Sequence, residues 1–316
     1  MAATEGQGNS SRPPHQSVLY QEILYYLRPH SPERYIDGTL GAGGHAWGIL
    51  NASEPAGKLL GLDLDPQALA IASQRLSVFN DRVSIVQASY TTLLQQMQVA
   101  GWESVAGIVL DLGVSSMQID TPDRGFSFQT EGPLDMRFSP DIRTSASDLV
   151  NTLPESELAD ILFKYGEERQ SRRIARAIVH ARPLHTTSEL AEVVRRAAGR
   201  YSGHIHPATR TFQALRIAVN GELQSLETVL PQAVQALAPG GRVAVISFHS
   251  LEDRIVKHYF RRESRDCICP PDQPVCICGH TASVVEITRH PVEAQEQEKR
   301  DNPRARSARL RVAEKK

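Results

Sequence analysis

The stretch Tyr35–His45 reads YIDGTLGAGGH, and Leu59–Pro66 reads LLGLDLDP. The first is a short β-type run that ends in Asp37 and opens into a glycine-rich turn, and the second is an apolar run that ends in Asp63. Glycines let backbone N–H groups approach a ligand closely at the start of a helix. A carboxylate at the end of the next strand can accept hydrogen bonds from both hydroxyls of a ribose. This layout predicts a nucleoside-cofactor site at the carboxyl edge of a parallel sheet.

The glycine turn departs from the dinucleotide fingerprint G-x-G-x-x-G, because Ala46 stands where its third glycine would be. Asp37 also precedes the glycines, at a place where a carboxylate repels a pyrophosphate and attracts a sulfonium or an ammonium group. The pattern therefore favours S-adenosylmethionine over NAD. A tight turn without a ligand is the alternative interpretation.

Two more apolar, β-branched runs, Val83–Ser89 and Ala106–Gly113, each follow a helical pattern. Together with the first two runs they form four alternating β/α units, which predict an α/β, Rossmann-like fold with a parallel sheet and helices on both faces. Later strands are expected at Arg242–Phe248, Val284–Thr288 and Ala308–Val312.

The α/β alternation is interrupted by helical patterns. Thr152-x-x-Glu155 and Thr186-x-x-Glu189 are capping-box patterns that predict helix starts. We expect a disordered tail (residues 1–14), a discontinuous α/β domain (residues 15–119 and 206–316) and a helical, substrate-recognition insertion (residues 120–205).

The chain has 316 residues and a formal net charge of −1, which argues against a generally cationic, nucleic-acid-coating surface. No membrane-length apolar run and no signal pattern is present, so we expect a cytoplasmic protein without a membrane partner. Two local runs, Arg169–Arg182 and residues 298–316, are strongly basic. They are either tracks for RNA phosphates or solvated faces.

All four cysteines lie in one short segment, as Cys267-x-Cys269 and Cys276-x-Cys278. Zinc sites usually use C-x₂₋₄-C pairs, so the one-residue gaps leave three interpretations open: a structural zinc, a redox-active loop or four unligated thiols. His280 is a replacement ligand in the zinc interpretation. We expect no catalytic metal here.

Several motifs along the chain resemble the ribosomal small-subunit RNA cytosine-N4 methyltransferases, a family also called methyltransferase H. These motifs are, in order, HQSVLYQEIL (His15–Leu24), DGTLGAGGH (Asp37–His45), LDLDP (Leu62–Pro66), DLGVSSMQID (Asp111–Asp120), RGFSF (Arg124–Phe128), LDMR (Leu134–Arg137), HPATRTFQALRIAVNGEL (His206–Leu223), ISFHSLEDRIVK (Ile246–Lys257) and NPRARSARLR (Asn302–Arg311).

The resemblance implies methylation by S-adenosylmethionine of the exocyclic N4 amine of a cytidine in the decoding region of small-subunit (16S) ribosomal RNA. The partner would be that RNA or a ribosomal subunit, and homo-oligomerisation stays open. The cofactor contacts implied by motif matching are Gly43, Gly44 and His45 in the loop, Asp63 at the ribose, Tyr90 near the adenine, and Asp111 and Gln118 at the end of the fourth strand.

Asp111 and His249 are the candidate catalytic residues. Many amino-methyltransferases carry Asp/Asn-Pro-Pro-aromatic after strand four, but this chain has Asp111-Leu112-Gly113-Val114 and lacks the proline pair that orients the amine. Asp111 therefore either accepts a hydrogen bond from N4 or only binds cofactor. A nucleotide-dependent oxidoreductase and a non-catalytic RNA-binding or assembly protein that keeps the cofactor pocket are the rival functions.

Phe126 and Phe128 are interpreted either as stacking platforms for RNA bases or as core anchors of a long loop. His206, Arg210 and Arg216 are interpreted either as phosphate contacts or as part of a solvated helix face.

Overall fold

The computed structural model describes residues 17–199, 206–270 and 273–316. The predicted disordered tail, residues 1–14, lies outside the described residues. The strands are β1 (Arg34–Asp37), β2 (Lys58–Asp63), β3 (Val83–Gln87), β4 (Val105–Asp111), β5 (Leu237–Ser247), β6 (Val284–Glu286), β7 (Val292–Glu293) and β8 (Arg309–Lys315). The helices are α1 (Tyr20–Leu27), α2 (Gly44–Ala52), α3 (Pro66–Leu76), α4 (Leu93–Val99), α5 (Ser116–Asp120), α6 (Ala146–Thr152), α7 (Glu155–Gly166), α8 (Ser171–His180), α9 (Thr187–Ala198), α10 (Ala208–Asn220), α11 (Glu222–Ala236), α12 (Ser250–Glu263) and α13 (Glu296–Asp301).

The strands form one twisted sheet in the order β3-β2-β1-β4-β5-β8-β6, with β7 also paired to β8. Strands β1 to β5 are parallel, whereas β8 runs antiparallel to β5. The chain leaves β1 for β2 on one side and returns to β4 on the other, so the carboxyl ends of β1 and β4 meet at a topological switch point. Ligands of open α/β sheets bind at such points. The predicted α/β, Rossmann-like fold is confirmed.

Successive residues of the central strands serve opposite faces of the sheet, because side chains alternate along a strand. Ile36 and Leu110 pack into the core beneath α4, α11 and α12. Tyr35 and Val109 pack into the core beneath α1, α2 and α3. Both cores are needed to bury the nearly continuous apolar runs that were identified as strands.

A third core belongs to the helices between β4 and β5, where Leu158, Ile174, Leu190 and Leu215 are fully or almost fully buried. Leu215 lies on α10, which packs mainly against α7. Because α10 follows residue 206, it contributes to the packing of the insertion. The division of the chain at residues 120 and 206 stays a prediction.

One of the two expected capping boxes is present. The Thr186 hydroxyl accepts from the Glu189 amide at 3.2 Å, and α9 starts there as predicted. The helix start predicted at Thr152 is wrong, since Thr152 is the last residue of α6 and its hydroxyl donates to the Asp148 carbonyl at 2.6 Å. A threonine in a last helical turn bonds back to the preceding turn instead of capping the next helix.

The basic carboxyl-terminal segment is built into the sheet, since β8 lies between β5 and β6. Arg311 is 3% exposed and donates to both carboxylate oxygens of Asp253, at 2.6 and 3.2 Å. Arg304 pairs with Asp120 at 2.6 Å, while Arg306 is exposed. Much of the positive charge in this run therefore compensates the protein's own carboxylates.

No helix in the described ranges is both long enough and apolar enough to span a bilayer.

The buried Asp253–Arg311 pair predicts a large stability effect. Asp253→Ala leaves the buried Arg311 guanidinium without its carboxylate, so we expect the free energy of unfolding in urea to fall by about 3–5 kcal/mol. Glu192→Ala, which removes an ion pair of α9 with Arg195 and Arg196 at the surface, is the control and should change stability little. Equal losses in the two variants would contradict the importance of the buried pair.

Candidate active site at the carboxyl edge of the sheet

A cavity of about 860 Å³ opens at the carboxyl edge of the sheet. Every parallel strand contributes to its lining at or just beyond its last residue: Gly38 after β1, Asp63 on β2, Ala88 after β3, Asp111 on β4 and Phe248 after β5. This volume suits a ligand of nucleoside size.

The glycine turn forms one wall of the cavity and leads into α2. Gly43 caps α2 with φ of 76°, a left-handed conformation that favours glycine, and a Cβ there would lie 3.1 Å from Leu76. A Cβ on Gly44 would overlap the Ser17 hydroxyl at 1.9 Å. Gly44 and His45 line the cavity, whereas Gly43 lies behind them. The turn thus requires its glycines for backbone shape and close packing.

Asp63 is held rigidly at the end of β2. Its Oδ2 accepts from the Gly41 amide at 2.7 Å, and its Oδ1 accepts from the Asp65 amide at 2.9 Å. Each carboxylate oxygen has capacity for a second donor. Asp63 can therefore accept two further hydrogen bonds in a fixed direction, and burial raises the pKa of its carboxyl group.

Asp37, His45 and Asp111 form a cluster at the adjacent ends of β1 and β4. The Asp111 amide donates to the Thr39 hydroxyl at 2.6 Å, and the Thr39 amide donates to Asp37 Oδ1 at 3.1 Å. His45 Nε2 lies 3.4 Å from Asp111 Oδ2. The short loop after β1 thus holds the two acids next to each other.

The carboxyl groups of Asp37 and Asp111 both have a raised pKa. Removal from bulk water raises the pKa of Asp111 to about 8, and the nearby charges of Asp37 and Glu252 add to the effect, although 26% of the side chain is still exposed. Burial raises the pKa of Asp37 to about 7, helped by the charge of Asp63. Burial, with the charge of Arg75, lowers the pKa of His45 to about 4, so this imidazole is neutral near pH 7.

Several buried polar atoms of this cluster have no hydrogen-bond partner within the described part of the chain. They are Asp37 Oδ2, Asp111 Oδ1 and both ring nitrogens of His45. Buried polar atoms in native proteins are almost always paired, so unpaired ones concentrated beside a cavity indicate a missing ligand. A cationic ligand would also favour the ionised forms of both acids.

Gln118 lines the cavity and fixes the start of the insertion. Its Oε1 accepts from the Ser115 amide at 3.1 Å in a capping box, and its Nε2 donates to Asp65 Oδ2 at 3.0 Å. Arg124 donates to the same Asp65 oxygen at 2.7 Å. Although burial favours protonation of Asp65, these two donors hold its pKa below the usual value. Sequence reasoning missed Asp65 and Arg124, which both lie inside the quoted motifs.

Two further acids, Glu222 and Glu252, line the cavity and were also missed. Arg216 donates to both oxygens of Glu222, at 2.8 and 2.9 Å, so Arg216 is buried in an ion pair and neither expected role, phosphate contact or solvated face, fits it. Glu252 Oε2 accepts from the Phe248 amide at 2.9 Å. The only signal in the sequence was an acid in each of the motifs NGEL and SLED.

His249 lies next to this wall but does not line the cavity. It caps α12, with its Nδ1 accepting from the Glu252 amide at 3.4 Å and its Nε2 lying 3.2 Å from Glu252 Oε1. Both ring nitrogens of His249 therefore contact Glu252. Its catalytic role stays a prediction.

Some aromatic residues near the site line the cavity, and others pack within the insertion. Tyr90, Phe138 and Phe248 line the cavity. Phe126 stacks on Phe138 with ring centroids 5.7 Å apart, and Phe128 packs edge-on against Phe212 at 4.9 Å. Of the two interpretations of Phe126 and Phe128, these contacts favour core anchors.

Comparisons with known proteins show which sequences and structures this chain is similar to. The sequence profile described as the MraW methylase family matches residues 12–316. A ribosomal RNA small subunit methyltransferase H from Dehalococcoides mccartyi is 52% identical over 301 residues, which cover 95% of this chain and 86% of that protein. The protein of the same name from Geobacter sp. strain M21 is 52% identical over 95% of this chain and 98% of its own length. Among solved structures, an rRNA methylase from Streptococcus thermophilus aligns over 94% of this chain and 93% of its own with a TM-score of 0.41 and 11% identity.

The raised pKa of Asp111 predicts a pH-dependent stability of the ligand-free protein. The folded state holds this proton more tightly than the unfolded state does, so the stabilisation is full below about pH 4 and is lost as the pH rises through about 8. Asp111→Asn removes this titration. The free energy of unfolding of the variant, relative to that of the unmodified protein, should therefore rise by roughly 1–3 kcal/mol as the pH increases from about 5 to about 8.

Urea denaturation of both proteins across this range measures the difference. Asp81→Asn makes the same change at an exposed position and serves as the control. A difference between Asp111→Asn and the unmodified protein that does not vary with pH would show that Asp111 is not a buried, proton-binding acid.

Proposed function

The chain belongs to the MraW methylase family, and from this we propose that it transfers a methyl group from S-adenosylmethionine to the exocyclic N4 amine of a cytidine in the decoding region of small-subunit (16S) ribosomal RNA. The observation that carries the proposal is the cluster of uncompensated carboxylates at the switch point of the sheet. The near-identical length and 52% identity of the Geobacter relative support it.

The charge of the cavity supports S-adenosylmethionine as the cofactor. Asp37, Asp63 and Asp111 have no lysine or arginine partner within the described ranges, whereas Asp65 and Glu222 are paired with arginines. A sulfonium and an ammonium group would complement the unpaired acids, and a pyrophosphate would be repelled by them. This argues against the nucleotide-dependent oxidoreductase.

The chain's own residues divide the task of holding this cofactor. Asp63, oriented by two backbone amides, accepts the ribose hydroxyls. Tyr90 lies on the adenine side of the cavity, and Gln118 forms part of the wall near Asp111. Gly44 and His45 contact the cofactor directly, while Gly43 shapes the turn that presents them.

The methyl donor, when bound, supplies an electrophilic carbon on a positively charged sulfur. Cytosine N4 is a weak nucleophile because its lone pair is delocalised into the ring, so it has to be positioned and relieved of a proton. Asp111 Oδ1 has no other hydrogen-bond partner in the described part of the chain and accepts a hydrogen bond from the N4 amine. His249 acts as a positioning residue that fixes Glu252 in the adjoining wall.

The RNA reaches this cavity across the insertion, whose exposed Arg172 and Arg173 on α8 contact phosphates. Arg306, exposed near the cavity-lining Arg304, adds a second contact. Arg182 does not take part, because its guanidinium donates to the Val150 and Leu153 carbonyls. Since the substrate is ribosomal RNA or an assembling subunit, we place the protein in the cytoplasm.

Asp63 should control cofactor affinity. Asp63→Ala removes the acceptor of both ribose hydroxyls, so we expect S-adenosylmethionine binding to weaken by roughly 1.5–3 kcal/mol, about ten- to a hundredfold. Isothermal titration calorimetry measures the change. Asp81→Ala, at an exposed acid, is the matched control and should bind normally. Unchanged affinity in a folded Asp63→Ala protein would remove Asp63 from the site.

The proposed reaction is tested by transfer of labelled methyl from S-adenosylmethionine to small-subunit RNA, naked or in subunits, followed by nucleoside analysis. We expect N4-methylcytidine. Asp111→Ala should remain folded and lower the single-turnover rate by roughly a hundredfold or more, whereas Asp81→Ala should not. Near-normal turnover of Asp111→Ala would exclude the role given to Asp111. RNA binding without any methyl transfer by the unmodified protein would favour the non-catalytic assembly protein instead.

A further inference from the structure

The segment between α12 and β6 brings all four cysteines of the chain together. The Sγ atoms of Cys267, Cys269, Cys276 and Cys278 lie within 4.8 Å of one another. Cys278 Sγ is 3.6 Å from Cys276 Sγ and 3.9 Å from Cys267 Sγ. The two C-x-C pairs are thus folded onto each other, although their spacing within each pair is too short for an ordinary zinc motif.

These separations match a metal site and not a disulfide. Sulfur atoms of a disulfide are about 2.05 Å apart, and all four cysteines are free. Four thiolates at about 2.3 Å from a tetrahedral zinc are about 3.8 Å from each other. The two separations given above, 3.6 and 3.9 Å, bracket that value.

The backbone around the cluster is arranged to stabilise a negatively charged sulfur. The amides of Ile268 and His280 both donate to Cys278 Sγ, each at 3.5 Å. Hydrogen bonds of this kind orient a metal ligand and lower the cost of holding it ionised. They come from residues that flank the cysteine pairs, so the fold of the loop and the cluster of sulfurs depend on each other.

The segment has no hydrophobic core to explain its shape. No described residue from Arg265 to Ser283 is buried, and Val275 and Ile277 are 68% and 76% exposed. A disulfide or a metal is a common means of offsetting the entropy of ordering a segment without apolar burial. The sulfur separations given above favour the metal over the disulfide.

We propose that Cys267, Cys269, Cys276 and Cys278 bind one Zn²⁺ as a structural four-thiolate site. Thiolates select soft or borderline metals, and four of them leave no open position for a substrate or water. Binding releases the thiol protons and involves no change in oxidation state. His280 stays outside the ligand set, with its Nε2 lying 4.0 Å from Glu263 Oε2.

The site fastens the far end of α12. The Ser283 amide donates to the Glu263 carbonyl at 2.9 Å, and the Lys316 amide donates to the Ser283 carbonyl at 3.0 Å. Metal binding therefore closes the connection from α12 to the edge strand β6 and the carboxyl terminus. The other end of α12 borders the candidate active site, roughly 20 Å away along a helix of 14 residues, so the zinc has no part in the chemistry.

Metal analysis of the full chain, purified without chelator or metal-affinity resin, tests the proposal. We expect one zinc per chain and four thiols that resist alkylation until a chelator is added. Cobalt titrated into the metal-free protein should produce the charge-transfer and ligand-field bands of a tetrahedral thiolate complex. Chelation should also accelerate tryptic cleavage at Arg265, because the loop loses the cross-link that the metal provides.

Variants identify the ligands. Cys278→Ser should weaken zinc binding at least about tenfold while S-adenosylmethionine affinity, measured by calorimetry, stays within about twofold. His280→Gln should keep one zinc. Zinc well below one equivalent with four freely alkylated thiols, iron in place of zinc, or disulfides in freshly purified protein would overturn the proposal. Loss of zinc in His280→Gln would overturn the four-thiolate ligand set. If Cys278→Ser does not fold, the cobalt spectrum of the unmodified chain decides whether thiolates bind the metal.

Discussion

The candidate site depends on the burial of carboxylates that no lysine or arginine in the described part of the chain compensates. Asp37 and Asp111 end neighbouring parallel strands, and the Thr39 bridge between them fixes their separation. Burial leaves both carboxylates poorly solvated and raises the pKa of Asp37 to about 7 and that of Asp111 to about 8, with the charge of Asp63 adding to the first shift and that of Asp37 to the second. A cationic ligand would favour the ionised form of both acids.

Two other acids at or beside the cavity, Asp65 and Glu222, are each compensated by an arginine. Asp65 caps α3 and receives Arg124 and Gln118 from the chain that leaves β4. Glu222 at the start of α11 holds Arg216 of α10. These pairs position two walls of the cavity without adding free charge to it. Removing one partner of such a pair would leave a buried, unpaired charge and would be strongly destabilising. This division between paired and unpaired acids is the basis on which we propose Asp37, Asp63 and Asp111 as the ligand-binding carboxylates.

The carboxyl-terminal strand changes how the basic segments are understood. β8 closes the sheet as an antiparallel member beside β5, and Arg311 compensates Asp253 of α12 within the protein. α12 then extends from the cavity wall at Glu252 to the cysteine cluster beyond Glu263. One helix thus joins the candidate active site, the strand that completes the sheet and the loop that we propose is held by zinc.

The sequence by itself determined the fold class, the order of the strands along the chain, the switch-point loop and the acids Asp63 and Asp111, because glycine-rich turns and apolar alternation are local properties of the chain. It could not assign Thr152 to the end of α6, because a local Thr-x-x-Glu pattern does not show to which of two consecutive helices the threonine belongs. Only the tertiary structure decided which acids are compensated, for Arg124 lies 59 residues from Asp65 and Arg311 lies 58 from Asp253. The cysteines are a similar case: their C-x-C spacing left a metal, a redox loop and free thiols open, and only the folded loop shows that the four sulfurs lie within 4.8 Å of one another, the arrangement on which the zinc proposal rests. Charge compensation and metal coordination depend on distances in space, and local sequence patterns do not encode those distances.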